Sequence, residues 1–159
     1  MNRMTRRIAG AVVGAAGLVL AQGASAVVMT YNSTDVPVAI PEGGGTSGPA
    51  DSVLDIGDTG SINDVNVFLS LTHTFDGDLV ISIESPTGTT VRLSNRIGGS
   101  GDNYTNTVFD DEAAVSIAAG SGPFTGTFIP EGSLAAFDSE DLFGTWILHI
   151  DDRAGLGNL

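Results

Sequence analysis

The stretch INDVNVFLSLTHT, residues 62–74, decides the fold of this 159-residue chain. Within it the aliphatic residues Val65, Val67 and Leu69 alternate with Asn66, Phe68 and Ser70. A period of two is the side-chain period of an extended strand, whose residues point alternately to opposite faces of a sheet. The stretch therefore predicts a β-strand with one face in a hydrophobic core.

Similar short apolar runs occur along the rest of the chain and are separated by glycine- and proline-rich turns such as SPTG at 85–88. No segment after residue 26 shows the 3.6-residue apolar period of a helix, although one helical turn is expected near residues 134–137. With 22 glycines and about eight short strands, the chain predicts an all-β fold, an antiparallel β-sandwich of jelly-roll (galactose-binding-like) topology. The predicted strands lie at 36–41, 52–56, 62–74, 79–84, 91–93, 113–117, 124–129 and 145–150.

Residues 1–26 have the pattern of a secretory signal peptide. Three arginines within the first seven residues precede an apolar run at 8–21, and ASA at 24–26 supplies a small-residue cleavage site. The run is shorter than the roughly 20 residues that a membrane-spanning helix needs. We therefore expect cleavage after Ala26, no membrane insertion afterwards, and a secreted, periplasmic or cell-surface protein. The predicted organisation is a signal peptide at 1–26, a lead-in at 27–35 and one domain at 36–159.

The charge balance excludes several classes of partner. Removing the first 26 residues leaves three arginines against 19 acidic residues, a formal charge of −16, and the chain has no lysine. A protein that binds a nucleic-acid backbone needs clustered positive charge, so this class is excluded. Because the chain has no cysteine, disulfide bonds and thiolate chemistry are excluded as well.

The acidic residues cluster in the predicted loops, a pattern that favours divalent cations. Calcium takes roughly six to eight hard oxygen ligands from carboxylates, carbonyl groups and water, and it would relieve the repulsion between neighbouring carboxylates. The alternative is a solvated acidic surface suited to export and solubility. The candidate calcium ligands are Asp76, Asp78, Asp102, Asp110, Asp111, Asp151 and Asp152.

Several motifs taken together resemble the P domain, also called the Homo B domain. They are SINDVNV at 61–67, LTHT at 71–74, GDL at 77–79, SPTGT at 85–89, FDD at 109–111, FTG at 124–126, GTW at 144–146 and DD at 151–152. This β-sandwich module follows the catalytic domain of kexin- and furin-like proprotein convertases and of many bacterial subtilisin-like proteases. The resemblance extends over roughly residues 36–159.

The resemblance implies an accessory function. In its family the module stabilises or regulates an attached subtilisin-like serine protease, and its bacterial members often bind calcium. We expect no protease domain to precede the module in this chain. Because the chain ends at residues 157–159, where the family's final strand would begin, we expect either that the sequence is a fragment or that this strand is absent. Partners implied are a subtilisin-like protease domain or a cell-surface component.

Protease chemistry within this chain is not expected. GTS at 45–47, DTG at 58–60 and His73 resemble pieces of catalytic motifs, but their order differs from the Asp, His, Ser order of subtilisin-like chains. We therefore predict no catalytic residue. His73 is expected to be partly buried with a hydrogen-bonded ring, and Trp146 is expected to lie in the core. His149, on the strand face opposite Trp146, is expected to be structural.

Two other functions remain open from the residues. The chain could be a free-standing, calcium-dependent cell-surface adhesion or carbohydrate-binding module, because jelly rolls often serve in such roles and fold does not determine function. A cluster of exposed aromatic side chains would favour that reading. The chain could also be a truncated product without an independent function.

Overall fold

A computed structural model describes the backbone of residues 3–8, 27–41 and 48–154, and the side chains of the last two ranges. Two sheets account for the nine strands in these residues. The strands are β1 (Arg3–Ile8), β2 (Val27–Asn32), β3 (Ala50–Ile56), β4 (Val65–Leu71), β5 (Leu79–Glu84), β6 (Thr90–Asn95), β7 (Tyr104–Phe109), β8 (Phe124–Phe128) and β9 (Gly144–Asp152). Three 3₁₀-helices lie in the connections, at Asp76–Asp78, Ile117–Ala119 and Leu134–Phe137.

The sheets have five and four strands. The order in the first is β2-β1-β4-β7-β8, and in the second it is β3-β9-β5-β6. Neighbouring strands are antiparallel except for β7 and β8, which run parallel because the connection between them crosses back before the chain re-enters the sheet. The predicted all-β sandwich is confirmed, and the 3₁₀-helix at Leu134–Phe137 is the expected helical turn.

The core lies between the sheets and follows the period of two seen in the sequence. Every second side chain is buried along β5, along β4 up to Leu69 and along β9 from Trp146 onward. The residues between these buried positions are partly exposed. Trp146 is 1% exposed, as expected, and its ring packs edge-on against Phe137 with centroids 5.0 Å apart. The Trp146 indole N–H donates to the Leu142 carbonyl oxygen at 3.0 Å, so the polar atom of this large side chain is also satisfied.

Two predicted strands are wrong. Residues 36–41 form no strand, because Pro37 and Pro41 lack the N–H groups that a ladder requires. Residues 113–117 contribute a single bridge, between Ser116 and Ile129, before the chain turns into a 3₁₀-helix. The Ser116 hydroxyl accepts a hydrogen bond from the Ala118 N–H at 3.3 Å, which favours that turn over an extended ladder.

Three strands were not expected: β1, within the predicted signal peptide, and the strands β2 and β7. Strand β2 occupies most of the segment predicted as a lead-in. Strand β7 begins inside the stretch 98–106, whose glycine and polar residues indicate a loop. Its buried residues are Tyr104, Thr107 and Phe109, and a register shift between Tyr104 and Thr107 interrupts the period of two. One of the three is also a threonine, which looks polar in the sequence.

Strand β1 lies within the predicted signal peptide, pairing with β2 on one side and β4 on the other. Beyond Ile8 the apolar run and the cleavage site fall outside the described residues, so signal cleavage remains a prediction. The same holds for the predicted absence of a final strand after residue 154. Among the described residues no helix is long and apolar enough to cross a membrane.

Candidate functional site

Strand β7 divides the seven predicted calcium ligands into two groups. Asp102 precedes this strand, whereas Asp110 and Asp111 follow it, so the two sets lie beyond its opposite ends. The 3₁₀-helix Asp76–Asp78 joins the Asp102 loop, because the Asp76 N–H donates to the Gly101 carbonyl oxygen at 2.7 Å. The end of β9 also reaches this helix, since Asp152 pairs with Leu79 in the ladder. Five of the seven carboxylates therefore belong to one end of the sandwich.

Asp110 and Asp111 have structural roles at the other end. Asp111 accepts hydrogen bonds from the Ser133 hydroxyl at 2.8 Å and from the Leu134 and Ala135 N–H groups at 3.1 and 3.0 Å. It therefore caps the 3₁₀-helix Leu134–Phe137 from a distant part of the chain. Asp110 accepts the Glu112 N–H at 2.8 Å within its own turn. These contacts account for both carboxylates without a metal.

Asp151 and Asp152 point to opposite sides of β9. One Asp151 oxygen accepts the Arg153 Nε–H at 2.6 Å, and the other is buried without a hydrogen-bond partner. Asp152 is 5% exposed; it accepts the Ala154 N–H at 2.8 Å and faces the His73 ring at 3.4 Å. His73 also contacts the Phe75 carbonyl oxygen at 3.0 Å through Nδ1. Its partly buried, hydrogen-bonded ring is as predicted.

Asp76 differs from the other predicted ligands in being completely buried without a partner. Its exposed fraction is 0%, and neither carboxylate oxygen makes a hydrogen bond. Burial raises the pKa of the Asp76 carboxyl to about 6. The Asn103 N–H, which also donates to the His73 carbonyl oxygen, and then the His73 ring offset this pKa increase in part, whereas the Asp102 charge reinforces it. Asp76 is thus held in a place where its charge is poorly compensated.

The remaining predicted ligands are more exposed. One Asp78 oxygen lies 3.8 Å from an Arg96 guanidinium nitrogen, and Asp102 is exposed to solvent. In the described parts of the chain, no three His, Cys, Asp or Glu side chains are grouped as a metal site would need. A cation at this end would therefore take most of its oxygen ligands from the main chain and from water.

A groove of about 920 Å³ opens beside the same end of the sandwich. Its apolar wall is formed by residues 36–40 together with Leu71 and Ile150, and its polar end carries His73 and Asp152. The sequence gives no signal for the groove, since it arises where a non-strand segment crosses the end of β4.

The residues that resemble catalytic motifs are engaged elsewhere. Asp58 accepts a hydrogen bond from the Tyr31 hydroxyl at 2.9 Å, and His73 faces Asp152. Asp58 and His73 therefore each contact a residue outside the catalytic motifs that they resemble. GTS at 45–47 falls outside the described residues. On the outer face of the four-stranded sheet, His149 lies between Asp51 at 2.7 Å and Glu84 at 3.4 Å, and it shares no face with Trp146, as expected.

Comparison with known proteins finds relatives of part of this chain. Leupeptin-inactivating enzyme 1 of Streptomyces exfoliatus is 36% identical over 76 residues, which are 48% of this chain and 17% of the enzyme. The serine protease of Aeromonas sobria, alone and in complex with its chaperone, superposes with a TM-score of 0.48 at 24% and 25% identity. Each superposition covers 77% of this chain and 19% of the protease chain.

This chain thus spans about a fifth of the length of the proteins that it matches. The profile of the proprotein convertase P-domain family matches residues 62–158, well over half of the chain. The match includes strands β4 to β9, which supply most of the core described above. The chain belongs to the proprotein convertase P-domain family.

Proposed function

We propose that this protein is an exported, non-catalytic accessory module that stabilises or regulates a subtilisin-like serine protease. The observation that carries the proposal is the P-domain match over residues 62–158. The matched relatives include Leupeptin-inactivating enzyme 1, and this chain corresponds to only 17% of it. The chemistry of such a protein would therefore reside in the part that this chain does not match.

The geometry of the described residues supports a non-catalytic role. A nucleophile needs a base within hydrogen-bond reach and a third group that orients the base. His73 and Asp152 form such an orienting contact at 3.4 Å. Thr72 and Thr74 flank His73 and line the same groove as Ser70, whose hydroxyl accepts the Asn106 N–H at 2.8 Å. The contact between His73 and Asp152 links the segment that follows β4 to the end of β9.

Calcium stabilisation is the finer part of the proposal. It is supported by the formal charge of −13 and by the buried, unpartnered carboxylate of Asp76. An uncompensated buried charge costs several kcal/mol, and a hard cation bound beside it would remove that cost. When bound, calcium would supply positive charge that holds loops of the sandwich together, and it would take no part in catalysis.

A fusion protein tests the accessory role. Residues 27–159 would be joined to the C-terminus of a subtilisin-like catalytic domain from which its own P domain has been deleted. The fused protease should survive heating several-fold longer than the bare catalytic domain. The matched control carries Trp146→Ala, which empties the core position of a 1% exposed side chain and should abolish the gain. Equal lifetimes of the fused and bare enzymes would contradict the proposal.

The adhesion or carbohydrate-binding alternative receives less support. Aromatic rings that stack on sugars need exposed faces, yet Trp146 and Tyr104 are at most 1% exposed. In the part of the chain that the structure describes, only Phe75 and Phe143 are exposed aromatic residues, at 41% and 57%. A glycan array that gives a signal abolished by chelation would favour this alternative.

A further inference from the structure

Strand β1 occupies an interior position of the five-stranded sheet, between β2 and β4. It runs antiparallel to both neighbours, with six residue pairs along β2 and four along β4. Yet β1 lies wholly within residues 1–26, the predicted signal peptide. Cleavage after Ala26 would therefore take a strand out of the middle of a sheet and leave β2 and β4 without a partner on their facing sides.

Contacts outside the five-stranded sheet hold β2 in its place. The Tyr31 hydroxyl donates to Asp58 at 2.9 Å, and the Tyr31 ring packs against the core. Just beyond β2, the Asp35 carboxylate accepts hydrogen bonds from the Ser52 hydroxyl at 2.9 Å and the Val53 N–H at 2.6 Å, both on β3. Because neighbouring strands lie about 4.8 Å apart, removal of β1 would leave β2 and β4 about 10 Å apart. This gap, which we call the strand slot, has the width of one strand.

The core side of the strand slot is apolar. On β4, Val65 and Val67 are only 2% and 3% exposed. Directly opposite residues of an antiparallel pair lie on the same face of a sheet, and the positions opposite these two valines belong to Arg6 and Met4. Arginine is among the residues that are least often buried. The sequence of β1 therefore matches the slot poorly at Arg6, and a strand with aliphatic residues at both positions would match it better.

The charge of the domain favours a basic strand in the slot. Without residues 1–26 the chain carries three arginines and 19 acidic residues, a formal charge of 3 minus 19, or −16. A field of this sign attracts positively charged segments and speeds their association. The segment that occupies the slot in this structure, RMTRRI, has three arginines among its six residues.

We propose that signal cleavage opens the strand slot to a basic, extended segment of another polypeptide, which binds by adding a strand between β2 and β4. In this mode of recognition the main-chain hydrogen bonds of the ladder supply affinity, and alternate side chains supply specificity. The segment would carry aliphatic residues opposite Val65 and Val67 and positively charged residues at the positions between them. This goes beyond the accessory role proposed above, because it assigns a surface of the domain and the chemistry of its partner.

The test uses the chain after export with its own signal from a bacterial host. Its intact mass should correspond to a polypeptide that starts at Val27, and a mass that still includes β1 would overturn the proposal. The probe is a synthetic peptide of residues 2–9 with Arg6→Val, which places aliphatic residues opposite both valines of β4. The matched control peptide also carries Thr5→Pro, because proline lacks the N–H that an interior strand needs. By calorimetry the probe should bind at least tenfold more tightly than the control.

Hydrogen exchange locates the bound peptide. The probe should slow exchange of the backbone amides at 27–32 and 65–68 at least tenfold and leave those of β5, at 79–84, unchanged. A second probe with Arg3→Glu and Arg7→Glu should bind at least tenfold more weakly at low salt, because its charge is reversed. Equal binding of the first probe and the proline peptide, or unchanged exchange at 65–68, would overturn the proposal. If the cleaved chain does not unfold cooperatively by itself, the first probe should restore a cooperative melt, and failure to do so would also overturn it.

Discussion

The hydroxyl groups of Ser94 and Tyr104 form a buried hydrogen bond of 2.9 Å between the two sheets. Ser94 belongs to β6 and Tyr104 to β7, and each residue is 0% exposed. The Tyr104 ring stacks on Phe124 with centroids 4.7 Å apart, and burial raises the pKa of Tyr104 to about 12. The phenol therefore stays protonated and joins the two sheets through a polar contact inside the core.

Tyr104→Phe should destabilise the domain by about 1 kcal/mol, because it leaves the Ser94 hydroxyl buried without a partner. The ring stacking on Phe124 is kept in this variant. Adding Ser94→Ala removes the second polar group, so the double variant should lose less stability than the sum of the two single variants. Chemical denaturation of the four proteins measures this coupling, and strictly additive losses would contradict the hydrogen bond's role.

Asp111→Ala should destabilise the domain by about 1–2 kcal/mol through loss of the cap on the 3₁₀-helix Leu134–Phe137. The effect reaches the core because Leu134 and Phe137 are buried and Phe137 packs on Trp146. Since Trp146 is the single tryptophan, its fluorescence reports unfolding directly. Asp138→Ala, at an exposed position just after the same helix, is the matched control and should have little effect. Equal stability of wild type and Asp111→Ala would contradict the capping role.

Gly122→Ala should destabilise the protein by about 1–3 kcal/mol, because the added Cβ would lie 2.6 Å from Asp76 Oδ2 and 2.8 Å from the Gly101 Cα. Gly57→Ala is the matched control, since a Cβ there meets nothing within 4 Å. The two melts should therefore differ clearly. A neutral Gly122→Ala would show that the loops around Asp76 adjust freely, which is incompatible with a preformed site.

In chelator the stability of the domain should rise as the pH falls from 7 to 5. The folded-state pKa of Asp76, about 6, exceeds its ordinary value of 3.8, so the folded protein takes up the proton first. The stabilisation is present at low pH and is lost as the pH rises through 6, which amounts to about 1 kcal/mol over this interval. His73 and Asp102, which act on Asp76, remain in the comparison variant Asp76→Asn. That variant should lack this component, and identical pH dependence in both proteins would contradict the account of Asp76.

The strands that could be predicted from the sequence are those whose apolar residues alternate visibly. Strands β4, β5 and β9 pack one face on the core and place partly exposed residues on the other, so their sequences show the period directly. Strand β7 was missed because the buried face includes Thr107, whose hydroxyl donates to the Phe124 carbonyl oxygen at 2.7 Å. A polar residue satisfied within the core cannot be told from a surface residue by composition.

In the candidate site, too, some features could be predicted from the sequence and others could not. The sequence indicates that Asp76 and Asp102 belong to acidic loops, and the structure brings these loops together through the bond from Asp76 to Gly101. The sequence also suggests Asp111 as a calcium ligand, but the carboxylate of Asp111 caps a 3₁₀-helix 23 residues further along the chain. Such a long-range partner leaves no local pattern. The burial of Asp76 was equally hidden, because its neighbours at 75–78 form a typical polar turn.

The central claim, that this P domain acts without catalysing, is tested most directly by peptide hydrolysis. The purified chain would be incubated with casein and with peptides that subtilisin-like proteases cleave, in calcium and in chelator. We expect no cleavage above that of a matched sample prepared without the protein. Cleavage that copurifies with the chain and disappears in Ser47→Ala would contradict the account and identify the protein as a protease in its own right.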